Sequence, residues 1–329
     1  MTLEVMQERL LLSAPFVISG YTFVDLPVVV ARIKRHGIEG GGEAAGVYYL
    51  GDDAAHMTAA IESVRRDIET GADREALRHL LPPGGARNAL DCALWDMEAR
   101  RAGQPAWRLA GLAAPRPLIT TFTVGAGDPG AMAAKAASFD QAKSIKLKLT
   151  GDAALDAERV RAVRKARPDV WLGVDANQGF DADGLSALMP ALVACKVKLL
   201  EQPVKRGREA ELEGFRSAIP IAADESVQGL SEVEALVGRF DIVNIKLDKC
   251  GGLTEALLMA AEARRLGLGV MVGNMVGTSL AMAPAFLLGQ VCDLADLDGT
   301  IFITEDRTPS VSFENGRVSY PDNGWGRAA

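Results

Sequence analysis

The sequence predicts an α/β protein whose larger part is a closed (β/α) barrel. Three observations lead there. From residue 118 onward, short apolar runs alternate with helical stretches, the pattern that builds a parallel sheet. Eight such runs fit into about 180 residues, the compact limit of a closed barrel. Several of these runs close on a charged residue, and in a barrel such positions converge on one mouth. A doubly wound sheet is the alternative architecture.

Before residue 118 the chain reads as α+β. Residues 3–12 and 24–33 alternate or are Val-rich and predict two strands, with a loop over 13–23 (SAPFVISGYTF) between them. Residues 37–46 predict a glycine-rich turn region and 54–69 a helix. In 87–102, Leu90, Ala93, Leu94 and Met97 recur at helical spacing, and Gly103 and Pro105 end the helix. The barrel strands are expected at 118–124, 144–149, 171–174, 198–200, 219–223, 242–245, 269–272 and 293–297. Helices are expected at 153–166, 183–194, 209–218, 231–238 and 254–266. The later VSFENGRVSY carries an Asn-Gly turn between alternating runs, a hairpin signal. A finished barrel has no place for it, so it is expected to return to the N-terminal region.

Composition excludes several functions. The net charge of -7 comes without any basic block, so nucleic acid and anionic membranes are not expected partners. Residues 266–292 carry no charge, but Gly267, Gly269, Gly273, Asn274, Gly277 and Pro284 break the run; it reads as strand, loop and buried helix rather than a membrane span. Cys92, Cys195, Cys250 and Cys292 are widely spread without a CxxC pair, which suggests neither zinc nor disulfides. The N-terminus carries acids early and lacks a secretory pattern. A cytoplasmic location with reduced cysteines is expected.

The chemistry is written at the strand ends. In Ile145-Lys146-Leu147-Lys148-Leu149, alternation puts both lysines on one face. Alone, such a strand reads as a solvated edge. The following strands end on Asp175, Glu201 and Asp224, then Lys246, then Asp296 and Asp298. A single acid at a strand end reads equally well as a helix cap. Three in succession, without His or Cys and flanked by lysines, suit Mg2+. Lys148 and Lys246 would approach a metal-bound substrate from opposite sides. A lysine becomes a general base when desolvation and nearby positive charge lower its pKa, and Lys146 and the metal supply that charge. Proton removal on one face and return on the other, through an enediolate, is racemisation or epimerisation next to a carboxylate.

Together these residues resemble the enolase superfamily, specifically its muconate lactonising subgroup. The resemblance covers nearly the whole chain. It implies a modified (β/α)7β TIM-type barrel over 113–304 and an α+β capping domain over 1–112, completed by 305–329. A histidine base late in the barrel would mark the mandelate racemase subgroup, but the histidines are His36, His56 and His79, all in the cap. Asp296-Leu297-Asp298 looks like the Asp-x-Asp motif with which dipeptide epimerases hold a substrate ammonium. NIKLDKCGGLTEA and ADLDGT look closest to bacterial epimerases acting on L-Ala-D/L-Glu.

The resemblance implies a dipeptide substrate epimerised at its C-terminal α-carbon. Lys148 and Lys246 would be the catalytic pair, with Lys146 and Asn177 in support. Asp175, Glu201 and Asp224 would hold Mg2+. Asp296, Asp298, Thr123, Phe16, Tyr21 and Phe23 would meet the substrate. Where much of the subgroup has Glu after strand seven, this chain has Gly273; the cap loop has Gly20, Tyr21 and Phe23 in place of an arginine. Such a loop suits a less acidic second residue. Rival activities on the same scaffold are o-succinylbenzoate synthesis, N-acylamino acid racemisation and muconate-type cycloisomerisation. None needs Asp296 and Asp298. A non-catalytic binding protein on a decayed scaffold is the rival of another class. A homo-oligomer is left open.

Overall fold

The computed structural model describes residues 1–18 and 21–328, and the side chains of all of these except 16–18 and 21. Phe16 and Tyr21, expected at the substrate, therefore lie outside the described side chains.

The chain opens with an antiparallel sheet, β1 (Thr2–Ile18), β2 (Tyr21–Arg35) and β3 (Ile38–Ala44), in sequence order. Where a loop is expected over 13–23, residues 13–18 and 21–23 instead continue β1 and β2. The register shifts between Leu11 and Phe16 and pairing then resumes. The expected glycine-rich turn is also a strand, β3. Its glycines serve close packing rather than a turn: a Cβ on Gly40 would sit 2.3 Å from the Ala93 carbonyl oxygen, and one on Gly42 2.2 Å from that of Ala89. Those carbonyls belong to the helix Gly85–Ala102, which lies directly on the sheet. The predicted helix 54–69 breaks at Val64 into α1 (Ala54–Ser63) and α2 (Arg65–Thr70). After them come α3 (Arg74–Leu80), α4 (Gly85–Ala102) and α5 (Ala106–Leu109). Buried Ile33, Met57, Ile61, Leu77, Leu90 and Leu94 form a core between sheet and helices.

The second body is an eight-stranded, wholly parallel sheet. Its strands run in chain order: β5 (Thr121–Val124), β6 (Ser144–Lys148), β7 (Trp171–Asp175), β8 (Leu199–Glu201), β9 (Ile221–Ala223), β10 (Ile242–Lys246), β11 (Gly269–Gly273) and β12 (Leu294–Asp296). The short β4 (Leu118–Ile119) precedes them. Helices α6 (Pro129–Ser138), α7 (Ala153–Ala166), α8 (Ala182–Ala194), α10 (Leu253–Arg265) and α11 (Ser279–Leu288) fill most crossovers, and the one-turn α9 (Leu247–Cys250) follows β10. The helices expected at 209–218 and 231–238 are reduced to 3-10 turns. Residues 125–130 (GAGDPG) follow the first barrel strand with the spacing of a dinucleotide-binding turn, which by itself favours the doubly wound alternative. The strand order decides against it, because it never reverses and so provides no switch point. Asp128 also caps α6 there, placing an acid where a pyrophosphate would need to sit.

Alternation sorts every barrel strand. Ile145, Leu147, Leu172, Val174, Leu200, Val243, Ile245, Val270 and Val272 face outward into the layer beneath the helices. Facing inward, Leu199, Ala222 and Met271, with Trp171, Ile242 and Leu294, plug the lower end. Above that plug the same inward parity carries Lys146, Lys148, Asp175, Glu201, Asn244, Lys246 and Asp296. Period two thus turns an apolar plug into a charged floor within one strand.

The hairpin expected in VSFENGRVSY is present as β13 (Ser312–Glu314) and β14 (Arg317–Ser319). Asn315 and Gly316 both take positive φ, 52° and 73°, as a type I′ turn requires. It pairs with β4 rather than with the N-terminal sheet, and Phe313 packs edge-on against Phe122 at 5.9 Å. The residues after it do reach the N-terminal body: the Trp325 ring N–H donates to the Cys92 carbonyl at 3.0 Å, and Gly326 N–H to Asp96 at 2.8 Å. The uncharged stretch 266–292 becomes β11, a loop and α11, and among the described residues no helix is long and apolar enough to cross a membrane.

Candidate active site

A cavity opens at the C-terminal ends of the barrel strands, beneath the N-terminal body. Its lining includes Lys146, Lys148, Asn177, Asp224, Glu225, Lys246, Asp296, Asp298 and Thr123 from the barrel, and Phe23, Leu26, Tyr48 and Tyr49 from the cap. Each barrel group arrives there by the same rule, as the last inward position of its strand or the first residues beyond it. The sequence-stated candidates with described side chains therefore converge on one place.

The helix-capping reading of the strand-end acids is resolved by other residues. Asp128, Asp152, Asp181 and Thr278 cap α6, α7, α8 and α11. None of these helices is capped by Asp175, Glu201 or Asp224. Asp175, Glu201 and Asp224 are fully buried and offer oxygens within 4.8 Å of one another.

Lysines surround this triad. Lys148 Nζ lies 2.6 Å from Asp175 and Lys246 Nζ 2.6 Å from Asp224. Lys146 donates to Glu201 at 3.2 Å and also bonds Asp296. Strands β6 and β10 are four places apart in an eight-stranded order, so Lys148 and Lys246 face each other across the barrel. Both are 8% exposed, and Lys146 is 2% exposed; the edge-strand reading of the lysine pair is excluded.

Carboxylates hold two of the buried lysines, Lys146 and Lys246, in their charged form. Burial pulls Lys146 down, but Asp296, Glu201 and Asp175 outweigh it and hold the ammonium above its ordinary range. Lys246 is likewise desolvated, and Asp224 and Glu201 raise it well above normal. Lys146 is thus engaged by carboxylates rather than set against Lys148. The carboxylates respond to crowding. Burial and then Asp175 push Glu201 up to about 7. For Asp298, burial and then Asp296 push it up to about 7. Burial opposes ionisation of Asp224, yet Lys246 and Lys249 prevail and keep it low.

Several site residues were not legible beforehand. Lys249, which does not line the cavity, bonds Asp224 at 2.6 Å. Asn244 donates to Glu201 at 2.8 Å; its place two residues before Lys246, on the same strand parity, is the signal that could have found it. Gln202 accepts from the Asp224 and Ser226 N–H groups at 2.9 and 3.1 Å, fixing the turn that presents Asp224. Glu225 is 4% exposed, with one oxygen lacking a partner. Tyr48 and Tyr49 come from a glycine-bounded turn with no motif. Among the predicted residues, Asn177 acts through its backbone, its N–H donating to Asp175 at 2.8 Å. Thr123 N–H donates to Asp298 at 2.6 Å, and Thr121 Oγ bonds Asp296. Gly273, at the end of β11, has no room for a side chain: a Cβ would lie 2.9 Å from Asn244 Oδ1 and 3.0 Å from Lys246 Cε. Lys246 and Asn244 occupy the space a glutamate would use. None of the three histidines lines the cavity.

The donor set fits one hard divalent cation. It is all oxygen, as Mg2+ prefers. Further carboxyls (Glu225, Asp296, Asp298) and four lysines (Lys146, Lys148, Lys246, Lys249) stand around it.

Residues 1–111 match the family described as the mandelate racemase / muconate lactonizing enzyme N-terminal domain, and 131–327 match the enolase C-terminal domain-like family. The chain belongs to the enolase superfamily. It is 43% identical over 317 residues to an L-Ala-D/L-Glu epimerase of Escherichia coli, covering 96% of this chain and 99% of that one. An enolase family member from Agrobacterium tumefaciens, solved with sodium and L-Ala-L-Glu and described as homologous to dipeptide epimerases, superposes with a TM-score of 0.93 at 41% identity, covering 97% of both chains. A dipeptide epimerase from Enterococcus faecalis, complexed with Mg and L-Leu-L-Tyr, gives 0.92 at 28% identity, covering 99% of this chain and 98% of that one.

Proposed function

We propose that this superfamily member is a Mg2+-dependent dipeptide epimerase that inverts the α-carbon of the C-terminal residue. The observation that carries the reading is the opposed pair, Lys148 on β6 and Lys246 on β10, with three buried carboxylates between them. The relatives' names support it. The working unit is a cap over 1–112 on a catalytic barrel over 113–304, with 305–329 joining the two: its hairpin pairs with β4 and its ends bond the cap.

Asp175, Glu201 and Asp224 would hold the ion. Mg2+ held there would supply positive charge to offset the substrate carboxylate and would compete with Lys148 and Lys246 for Asp175 and Asp224. The chain's own residues do the rest. One lysine, as the free amine, takes the α-proton from its face of the substrate. The opposite lysine, as the ammonium, returns a proton to the other face. Lys146, held by Glu201 and Asp296, stays charged and stabilises the negative charge that develops on the substrate carboxylate. Asp298, whose outer oxygen is not used by the Thr123 N–H, takes the dipeptide's ammonium, with Asp296 behind it. The barrel floor and the cap keep water from the carbanion.

Incubation of a dipeptide library with the enzyme and Mg2+ in D2O tests this by mass. One deuteron is expected at the C-terminal residue's α-position. Exchange of N-acylamino acids without exchange of any dipeptide would overturn the reading and favour the rival racemase.

A further inference from the structure

An α-carbon held between two lysines has only one direction left for its side chain. On the proposed function, on which this inference rests, its carboxylate points to the acid triad and its peptide nitrogen leads toward Asp298 on β12. Its hydrogen faces Lys148 or Lys246. The fourth substituent must point up, out of the barrel and into the cap.

The cap presents an apolar wall there. Phe23 packs edge-on against Tyr48 with ring centroids 5.2 Å apart, and Tyr48 against Tyr49 at the same 5.2 Å. Leu26 joins them from β2, and Met275 and Val276 from the loop after β11. Burial raises both phenols well above their ordinary range, so the wall is uncharged at neutral pH. The cavity's cations are the three lysines of the barrel floor, each bonded to a carboxylate.

The stretches that supply the apolar wall and the segment after β12 bring no cation. Residues 12–24, 44–50, 274–279 and 299–303 contain no Arg, Lys or His. The other titratable groups that face the cavity from beyond the triad are acids, Asp296, Asp298 and Glu225, the last with a buried carboxyl oxygen lacking a partner. An anionic side chain entering this space would lose its water, meet no counter-charge and approach another carboxyl. Desolvating an unpaired charge is among the more costly events in recognition. An apolar or aromatic side chain would instead displace water from rings and aliphatic groups.

We infer that the residue epimerised is apolar or aromatic, and that this enzyme discriminates against the L-Ala-D/L-Glu substrate for which its Escherichia coli relative is named. Phe23, Tyr48 and Tyr49 are the specificity-determining residues.

The test compares kcat/KM in D2O for L-Ala-L-Leu, L-Ala-L-Met and L-Ala-L-Phe with that for L-Ala-L-Glu and L-Ala-L-Lys, using the full-length enzyme with Mg2+. An advantage of about 100-fold for the apolar group over L-Ala-L-Glu is expected. Equal or faster turnover of L-Ala-L-Glu would overturn the inference and leave the epimerase reading standing. Faster turnover of L-Ala-L-Lys would overturn it in favour of Glu225 as the governing contact. Exchange of no dipeptide at all would overturn the function itself. In Phe23→Arg, the Glu-to-Leu ratio should rise by about tenfold or more; an unchanged ratio would remove Phe23 from the specificity wall.

Discussion

The floor of the cavity and its roof are built in opposite ways. Floor residues sit on barrel strands, are 0–8% exposed, and hold one another by ion pairs. The outer roof is a two-stranded ribbon whose Leu11 and Val24 are 60% and 64% exposed. Its described ties to the barrel are few: the Leu12–Ile303 bridge, the Thr304 N–H and hydroxyl to the Leu11 carbonyl at 2.9 and 3.3 Å, and Ser13 Oγ to the Phe302 carbonyl at 3.2 Å. Between them lies a third arrangement. Residues 43–46 of the cap are stapled to the barrel by two buried carboxylates. Asp248 accepts from the Ala45 and Gly46 N–H groups at 2.9 and 3.0 Å. Glu43 accepts from Thr278 N–H at 2.7 Å and from its hydroxyl at 2.6 Å. Proton chemistry needs groups fixed to a fraction of an ångström, and the floor supplies that. Side-chain selection needs only shape and polarity, and a lightly tied ribbon can change both without disturbing the floor.

Attacking the floor breaks this contrast most sharply. Lys246→Ala should lower epimerisation by at least about 1,000-fold, while one stereoisomer still exchanges its α-proton through Lys148. Kinetics in D2O check it, and full two-way turnover in the variant would end the two-base mechanism. Removing divalent metal with a chelator should abolish turnover. Restoring Mg2+ at about 100 times its Kd should add about 2.7 kcal/mol to unfolding stability, read as a rise in Tm; an unchanged Tm on titration would count against the triad as a metal site.

The staple comes next. Burial pushes the Asp248 carboxyl up to about 7 from 3.8, so the folded protein keeps a proton that the unfolded chain releases between those values. The stability this proton linkage contributes is present at low pH and is lost as pH rises to 7. Asp248→Asn, which preserves an acceptor, should therefore gain on the wild type by up to about 4 kcal/mol between pH 4 and pH 8. Urea unfolding at both pH values measures it, and a constant gap would contradict it. The ribbon should respond least: Val24→Ser should change stability by no more than about 0.5 kcal/mol in the same assay.

The floor was readable from the sequence because a barrel converts chain order into position. Once eight strands are counted, the last inward residue of each is known, and Lys148, Asp175, Glu201, Asp224, Lys246 and Asp296 follow. The residues that serve them were harder to see. Lys249 and Gln202 act from helix and turn geometry, where alternation gives no parity to count. Gly40 and Gly42 read as turn formers because a glycine required by a neighbouring helix looks the same as one required by a bend. The crossovers at 209–218 and 231–238 look helical by composition, yet each folds as 3-10 turns. The cap hairpin was mistaken for a loop because its register breaks between Leu11 and Phe16, which interrupts the alternation that would have revealed it.

The diametric placement of Lys148 and Lys246 also gives the enzyme an isotopic memory. Two ammonium groups on opposite walls cannot pass a hydrogen directly between them, so the hydrogen taken from one epimer is not the one delivered to make the other. Early in a reaction in heavy water, product molecules should carry deuterium while unreacted substrate remains mostly protiated. Running the reaction from the other epimer should give the same pattern in reverse. A site with a single base working on both faces would hand back part of the original hydrogen and blur that asymmetry. The distance across eight strands is thus recorded in the label of the product.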